Sequence, residues 1–328
     1  MRSLTIGSLV LLSVSLCSAQ TPSPATALVG AGFTNPFPIA VAPGQLLTLF
    51  VQSSAITNPF GFPLSAVFWN GSADEAMPVL QVNPTNAACT GSSNTACANL
   101  LAVTVQIPFD APTIAAVPGA NIAVVPSSIA VAINGVKSSY FGVQPAPNQV
   151  HILTACDVIV GGSPSFPAIR GLPCAPMITH SDGTQVSAIL PAKAGEELVA
   201  YATGLGQTNP PLTTGQPAAQ SSPTVAAFNL DFNYRTNALA TAPGAVGATA
   251  TAPLFTGATK GFTGLYQINF IVPPPPAGAY PCVDFAMPAV SSPGVSSAGS
   301  AVQSNLTVSV GSNFSFDGVG ICVTPSGN

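Results

Sequence analysis

In Tyr266-Gln267-Ile268-Asn269-Phe270-Ile271-Val272, the side chains of Tyr266, Ile268, Phe270 and Val272 fall on one face of an extended chain, and Gln267 and Asn269 on the other. A period of two places one face on a core and the other toward solvent, which is the pattern of a half-buried β-strand. The same period recurs on either side. Phe228, Leu230, Phe232 and Tyr234 alternate with Asn229, Asp231 and Asn233; Leu306, Val308 and Val310 alternate with Asn305, Thr307 and Ser309. Far upstream, Val103, Val105 and Ile107 alternate with Thr104 and Gln106. Turn pairs such as Asn134-Gly135 and Asp182-Gly183, and the run Pro273 to Gly278, separate such segments. Short strands punctuated by Gly and Pro predict an all-β protein of sandwich type, with no long amphipathic helix.

Composition narrows the class further. Of 328 residues only 5% are charged, 6 Lys+Arg against 10 Asp+Glu, where an ordinary soluble chain carries about 25%. No charge occurs between Arg2 and Asp74. So few cations cannot neutralise a nucleic-acid backbone, so nucleic acid is excluded as a partner. Hydrophobic types at 47% also exclude charge-driven disorder. The length sets a prior of two domains.

Arg2, the apolar run Leu4 to Leu16 and the Ser18-Ala19-Gln20 junction read as a signal peptide cleaved after Ala19. The apolar run is too short to span a bilayer, and no later stretch is long enough, so no transmembrane segment is expected. The mature chain is therefore placed outside the cytoplasm, either secreted or at the cell surface or periplasm. Six cysteines then remain: Cys89, Cys97, Cys156, Cys174, Cys282 and Cys322. An even number in an oxidising compartment predicts disulfides, with nearest neighbours as the simplest pairing: Cys89–Cys97, Cys156–Cys174 and Cys282–Cys322. The long third loop would contribute on the order of 3–4 kcal/mol in the chain-entropy model. Zinc is not expected, because no CxxC-like spacing with nearby His occurs.

The two halves echo each other. Ala42-Pro43-Gly44-Gln45-Leu46-Leu47-Thr48-Leu49-Phe50 is similar to Lys193-Ala194-Gly195-Glu196-Glu197-Leu198-Val199-Ala200-Tyr201, and Val103-Thr104-Val105-Gln106-Ile107-Pro108 to Gln267-Ile268-Asn269-Phe270-Ile271-Val272-Pro273. The paired glycines lie 151 residues apart and the paired prolines 165. A repeat one domain long predicts two tandem antiparallel sandwiches, residues 20–149 and 150–328, after the signal peptide at 1–19. Residues 150–176 form a Pro/Gly-rich, Cys-bearing junction.

Ser181-Asp182-Gly183-Thr184, Pro191-Ala192-Lys193-Ala194-Gly195-Glu196, Tyr201-Ala202-Thr203-Gly204-Leu205-Gly206 and the block Gly264 to Pro273 look like successive motifs of one bacterial domain. Together they resemble the uncharacterised C-terminal domain family of Solibacter-type acidobacterial secreted proteins, over about Ala175 to Val310. The resemblance implies Ig-like or TIG-like sandwiches and export. It supplies no catalytic residues. The Cys-bearing insertions and the tail beyond Gly311 depart from the pattern and leave the strand count open.

Candidate chemistry is sparse. His180-Ser181-Asp182 contains three residue types of a hydrolytic triad, but adjacent strand residues face opposite ways, and a turn before Asp182-Gly183 accounts for the cluster. His151 reads as a satisfied or exposed loop residue. The pairs Asp74-Glu75 and Glu196-Glu197 read as solvated turns, since glycosidase acids need a fixed separation across a cleft. Asp182-Gly183 and Asp317-Gly318 lack the acidic run of a calcium loop. No dinucleotide fingerprint or P-loop is complete, so neither cofactor nor metal is expected. Trp69, the single tryptophan, stands beside the turn Asn70-Gly71 and is the one ligand-contact candidate, with core or edge packing the simpler role. Sequons occur at Asn70, Asn305 and Asn313.

The sequence thus points to an exported non-enzymatic protein for structure, adhesion or ligand binding, with a cell-surface protein or a polysaccharide as partner. The alternatives are a polysaccharide-binding accessory protein, which needs aromatics lined on one flat face, and a hydrolase with an unrecognised site. Thin charge on strand edges also favours self-association. Because pH acts on stability only through groups that bind protons differently on folding, ten carboxylates and two histidines predict a shallow acid response. Chemical unfolding followed from pH 7 to 4 should show nearly constant stability; a steep acid transition there contradicts this expectation.

Overall fold

The computed structural model describes residues 25–32, 40–54, 62–84, 100–113, 127–155, 157, 159, 175–234, 249–276, 305–310 and 315–324. The signal-peptide reading falls outside these residues, as do Cys89, Cys97, Cys156, Cys174, Cys282 and Asn313. Among the described residues every named element is a strand, and no helix is long and apolar enough to cross a membrane.

Four sheets form two layered pairs. The first sheet has the order β1 (Thr26–Gly32), β3 (Leu46–Ser53), β7 (Leu100–Gln106), β6 (Val79–Pro84). Its partner runs β2 (Ala40–Val41), β10 (Phe141–Pro145), β8 (Ser127–Ile133), β4 (Leu64–Trp69), β5 (Asp74–Met77), with β9 (Val136–Lys137) also on β8. The third sheet is β11 (His151–Ile152), β13 (Glu197–Thr203), β18 (Tyr266–Ile271), β17 (Phe255–Ala258), β14 (Ser222–Pro223), with β12 (Ile178–His180) on β13. The fourth is β16 (Thr249–Thr251), β15 (Phe228–Phe232), β19 (Leu306–Val310), β20 (Phe316–Val319). All strand pairs are antiparallel except β2 with β10.

Each pair of sheets encloses its own core. Leu47, Leu49 and Val51 of β3, with Val103 and Val105 of β7, meet Phe68 of β4 and Ile129, Val131 and Ile133 of β8. In the second half Leu198, Ala200, Ile268 and Phe270 meet Phe228, Leu230, Phe232, Leu306 and Val308. These are the odd-or-even sets that the alternation assigns to the inward face. The cores are the two hydrophobic layers of a tandem sandwich.

The sequence echo is a structural one. β3 pairs β7 with Leu46 opposite Gln106, and β13 pairs β18 with Glu197 opposite Ile271. Before each pair lies the same turn. Gly44 has φ 71° and donates its N–H to Ile107 O; Gly195 has φ 82° and donates to Val272 O. Gln45 Oε1 accepts from Ala42 N at 2.7 Å, and Glu196 Oε2 from Lys193 N at 2.8 Å. Only glycine adopts this left-handed conformation without strain, which is why it recurs at both sites.

The expectation of solvated polar faces needs correction. Thr48, Thr104 and Gln106, on the outward side of β3 and β7, are fully buried, as are Thr307 and Ser309 of β19 and Asp231 of β15. On the first sheet Phe50 and Ala102 form a small second apolar cluster with Leu100 on that outer side. One end of the face packs against the second half: Leu46 N–H donates to Thr203 Oγ1 at 2.8 Å, Gly215 N–H to Gln106 Oε1 at 2.6 Å, and Phe109 N–H to Thr214 Oγ1 at 3.0 Å. Neutral hydroxyls and amides suit such a seam, since burying them with partners avoids the cost of burying charge.

The junction also pins the chain between the halves. Gln149 N–H donates to Gly204 O, and Asn148 Nδ2 to Leu205 O at 2.6 Å. Gly204 has φ 76°, and a Cβ there would lie 1.8 Å from Gln149 O, a backbone atom with nowhere to go. Gly183 has φ 85° but open space around it. Replacing Gly183 with Ala should therefore cost only the left-handed penalty of roughly 1–2 kcal/mol. Gly204→Ala should cost clearly more in the same urea titration; equal losses would show that the two halves do not approach as described.

Candidate functional site

Both histidines are locked into ion pairs. His151, on β11, lies between two carboxylates: Nδ1 is 2.9 Å from Asp317 Oδ2 and Nε2 is 3.0 Å from Asp157 Oδ2. The same carboxylate oxygens accept backbone N–H groups, Asp317 from Ile152 and Asp157 from Thr154. Burial pushes the imidazolium pKa down, but the hydrogen bonds and charges of Asp157 and Asp317 outweigh it and hold the pKa at about 10. The ring therefore fastens β11 and the loop after it to β20. Of the two roles expected for it, satisfied or exposed, His151 takes the satisfied one, although on a strand.

His180 is buried at the end of β12. Its Nδ1 lies 2.5 Å from Glu196 Oε1 and its Nε2–H donates to Leu190 O at 3.2 Å. Burial lowers its pKa, and the Glu196 and Leu190 hydrogen bonds raise it by more. Glu196 is pushed up by burial and drawn down further by His180, so its carboxyl lies below the usual range. This corrects the reading of Glu196 as part of a merely solvated turn; Glu197 is exposed at the start of β13. Asp182 accepts from Thr184 N and Oγ1, which makes the expected turn, and Ser181 is exposed. Neither histidine has a ring nitrogen left to take a proton from a serine, so this geometry does not assemble the triad.

Trp69 lies at an outer corner of the second sheet, and its surroundings form the best-built candidate surface. The β4–β5 turn is closed by Asn70, whose Oδ1 accepts from Ser72 N and Ala73 N and whose Nδ2 donates to Glu75. That turn brings Asp74 directly opposite Trp69 in the ladder. The β8–β9 turn uses Asn134 and Gly135, both at positive φ, the signature of a tight hairpin, and returns Lys137 to the same face. Tyr140 follows. Its ring centroid is 6.3 Å from that of Trp69 with the planes tilted by 59°, and Lys137 Nζ sits 4.4 Å from the Tyr140 centroid. Asp74 accepts from Lys137 Nζ at 2.8 Å and from Tyr140 Oη at 2.8 Å. The Lys137 hydrogen bond lowers the Asp74 pKa, and the Asp74 hydrogen bond raises that of Lys137. The expectation of core or edge packing resolves to the edge: Trp69 is half-buried and Tyr140 is 48% exposed.

Sequence reasoning named Trp69 and Asp74 but missed Tyr140 and Lys137, which lie more than sixty residues downstream. The Asn134-Gly135 turn was the available signal, since it folds that segment back onto β8. Of the sequons, Asn70 spends its side chain on the turn, and Asn305 is buried with Nδ2 donating to Ile321 O and Oδ1 accepting from Ile321 N. Cys322 is buried, and the other cysteines lie outside the described residues. No group of three or more potential metal ligands occurs among the described residues.

No protein-family profile matches the chain, and no curated protein matches it. Among solved structures a marsupial T cell receptor aligns with 10% identity over 92% of this chain and 74% of that one, at a TM-score of 0.20. A likeness at that level carries no argument, and the all-β fold stands on the strand pairing above. No family model supports the Solibacter-type resemblance, which rests on the quoted motifs alone.

The clamp on His151 has a testable sign. A histidine whose folded pKa lies above its unfolded value of about 6.5 stabilises fully below that value and loses the contribution as pH rises toward 10. Urea unfolding should show stability falling between about pH 7 and 10. His151→Gln should be less stable at pH 7 by about 3–5 kcal/mol, because two carboxylates lose their counter-charge, and should lose that alkaline slope.

Proposed function

We propose that the protein is an exported, non-enzymatic protein that works by binding, in adhesion or cell-surface architecture, and that it contacts its ligand through the Trp69–Tyr140 platform. The observation that carries this reading is the pairing of two tilted, partly exposed rings with an adjacent Asp74–Lys137 ion pair on a rigid sheet. Rings supply contact area at low entropic cost, and the paired charges supply direction. Trp69, Asp74 and Lys137 hold ladder positions and Tyr140 the short connection from β9 to β10, so the platform is formed before a ligand arrives. The Ig/TIG-like family resemblance, the signal-peptide pattern and the even cysteine count support export and a non-catalytic role. The nearest-neighbour disulfides belong to the same proposal. So does self-association, which the exposed Ile189 and Val225 side chains favour.

The test is binding of the purified mature chain to a panel of purified extracellular proteins. Trp69→Ala and Tyr140→Ala should each weaken the strongest signal at least tenfold, with the far-ultraviolet spectrum unchanged. Retention of full binding by both variants would remove the platform from the function.

A further inference from the structure

The second half carries another surface, built differently. On the third sheet the inward side chains are Leu198, Ala200, Ile268 and Phe270. The alternate positions point outward: Glu197, Val199 and Tyr201 on β13, Gln267, Asn269 and Ile271 on β18, and Phe255 and Gly257 on β17. All but the buried Gly257 are half-buried or exposed, so this face is reachable from solvent.

Three features give the face a chemistry. The first is a polar row across its centre. Gln267 Nε2 donates to Asn269 Oδ1 at 3.0 Å, and Asn269 Nδ2 donates to Glu197 Oε1 at 3.4 Å. Carboxamides carry both donors and acceptors, and each retains capacity beyond these bonds. The second is a ring on either side of that row. Tyr201 lies opposite Gln267 on one neighbouring strand, and Phe255 opposite Asn269 on the other. Strand spacing separates the two flanking strands by about 10 Å, roughly the length of a disaccharide. The third is Gly257. A Cβ there would come 2.4 Å from Phe255 Cζ, so the ring lies down across the glycine instead of standing off the sheet. A flattened ring presents its face.

Flat rings flanking a row of amides match a ligand with apolar C–H faces and many hydroxyls. Charge argues for the same class: Glu197 is the only carboxylate among these outward positions, and none of them is a cation. An anionic chain would meet no counter-charge. We propose that this face, Tyr201 and Phe255 flanking Gln267, Asn269 and Glu197, binds a neutral polysaccharide. The site is separate from the Trp69 platform and does not depend on it.

Affinity electrophoresis of the full mature chain tests this, in gels containing xyloglucan, mixed-linkage β-glucan, dextran or, as the anionic control, polygalacturonate. At least one neutral polymer should retard migration, and polygalacturonate should not. Gln267→Ala and Phe255→Ala should each lower the association constant for that polymer at least tenfold. Gln267 points away from the core, so its variant keeps the test decisive should Phe255→Ala fail to fold. The proposal is overturned if no neutral polymer retards the protein, or if polygalacturonate alone does. It is equally overturned if Trp69→Ala abolishes retardation while Gln267→Ala does not. Sedimentation showing that Phe255→Ala splits a dimer would reassign the face to a second copy of this chain.

Discussion

The Thr203 hydroxyl holds a position that both halves need. It accepts the Leu46 N–H from the first sandwich and donates to Gly264 O in the second. The position is shut off from bulk solvent, since Thr203 and Gln106 are wholly buried. An unpaired backbone group in such a place would cost about as much as a hydrogen bond. Satisfying the seam with the hydroxyls of Thr203 and Thr214 and the carboxamide of Gln106 requires the two halves to meet in a particular register. That requirement aligns the glycine turns at Gly44 and Gly204 and the backbone around Gly264 and Gln149.

The scarcity of charge takes on a structural meaning here. Both histidines and five of the twelve Asp, Glu and Lys side chains among the described residues sit in locks. His151 joins Asp157 and Asp317, His180 joins Glu196, and Lys137 joins Asp74. The first ties the start of the second sandwich to its last sheet. The second ties β12 to the turn before β13, at the position where the first half keeps the neutral Gln45. One repeat thus uses a carboxamide for its turn, and the other uses a carboxylate that also holds a histidine. Elsewhere threonine, serine, asparagine and glutamine satisfy buried backbone, which suits a protein with few ionisable groups.

Both proposed contact surfaces follow from one property of sheets. Outward side chains on neighbouring strands stand in rows, so residues far apart in sequence become adjacent at fixed spacing. Trp69, Asp74, Lys137 and Tyr140 come together from three strands and a connection. Tyr201, Gln267, Asn269 and Phe255 come from three strands of the other half. A rigid sheet positions such groups better than a long loop does.

Alternation in Phe228–Tyr234, Tyr266–Val272, Leu306–Val310 and Val103–Ile107 determined the strands and their core-facing residues, because a period of two admits no other regular burial. The repeated glycine-turn motif likewise determined that the chain is built twice over. Which polar faces stay wet was a matter for tertiary structure: Thr48, Thr104 and Ser309 have the local pattern of exposed residues and are buried all the same. The partners of His151, His180 and Trp69 were also beyond local reading, since Asp317, Glu196 and Tyr140 arrive through strand pairing across sixteen to more than one hundred and sixty residues. Local periodicity encodes which side of a strand is apolar. What covers the other side depends on how whole sheets stack, and no single stretch of sequence carries that information.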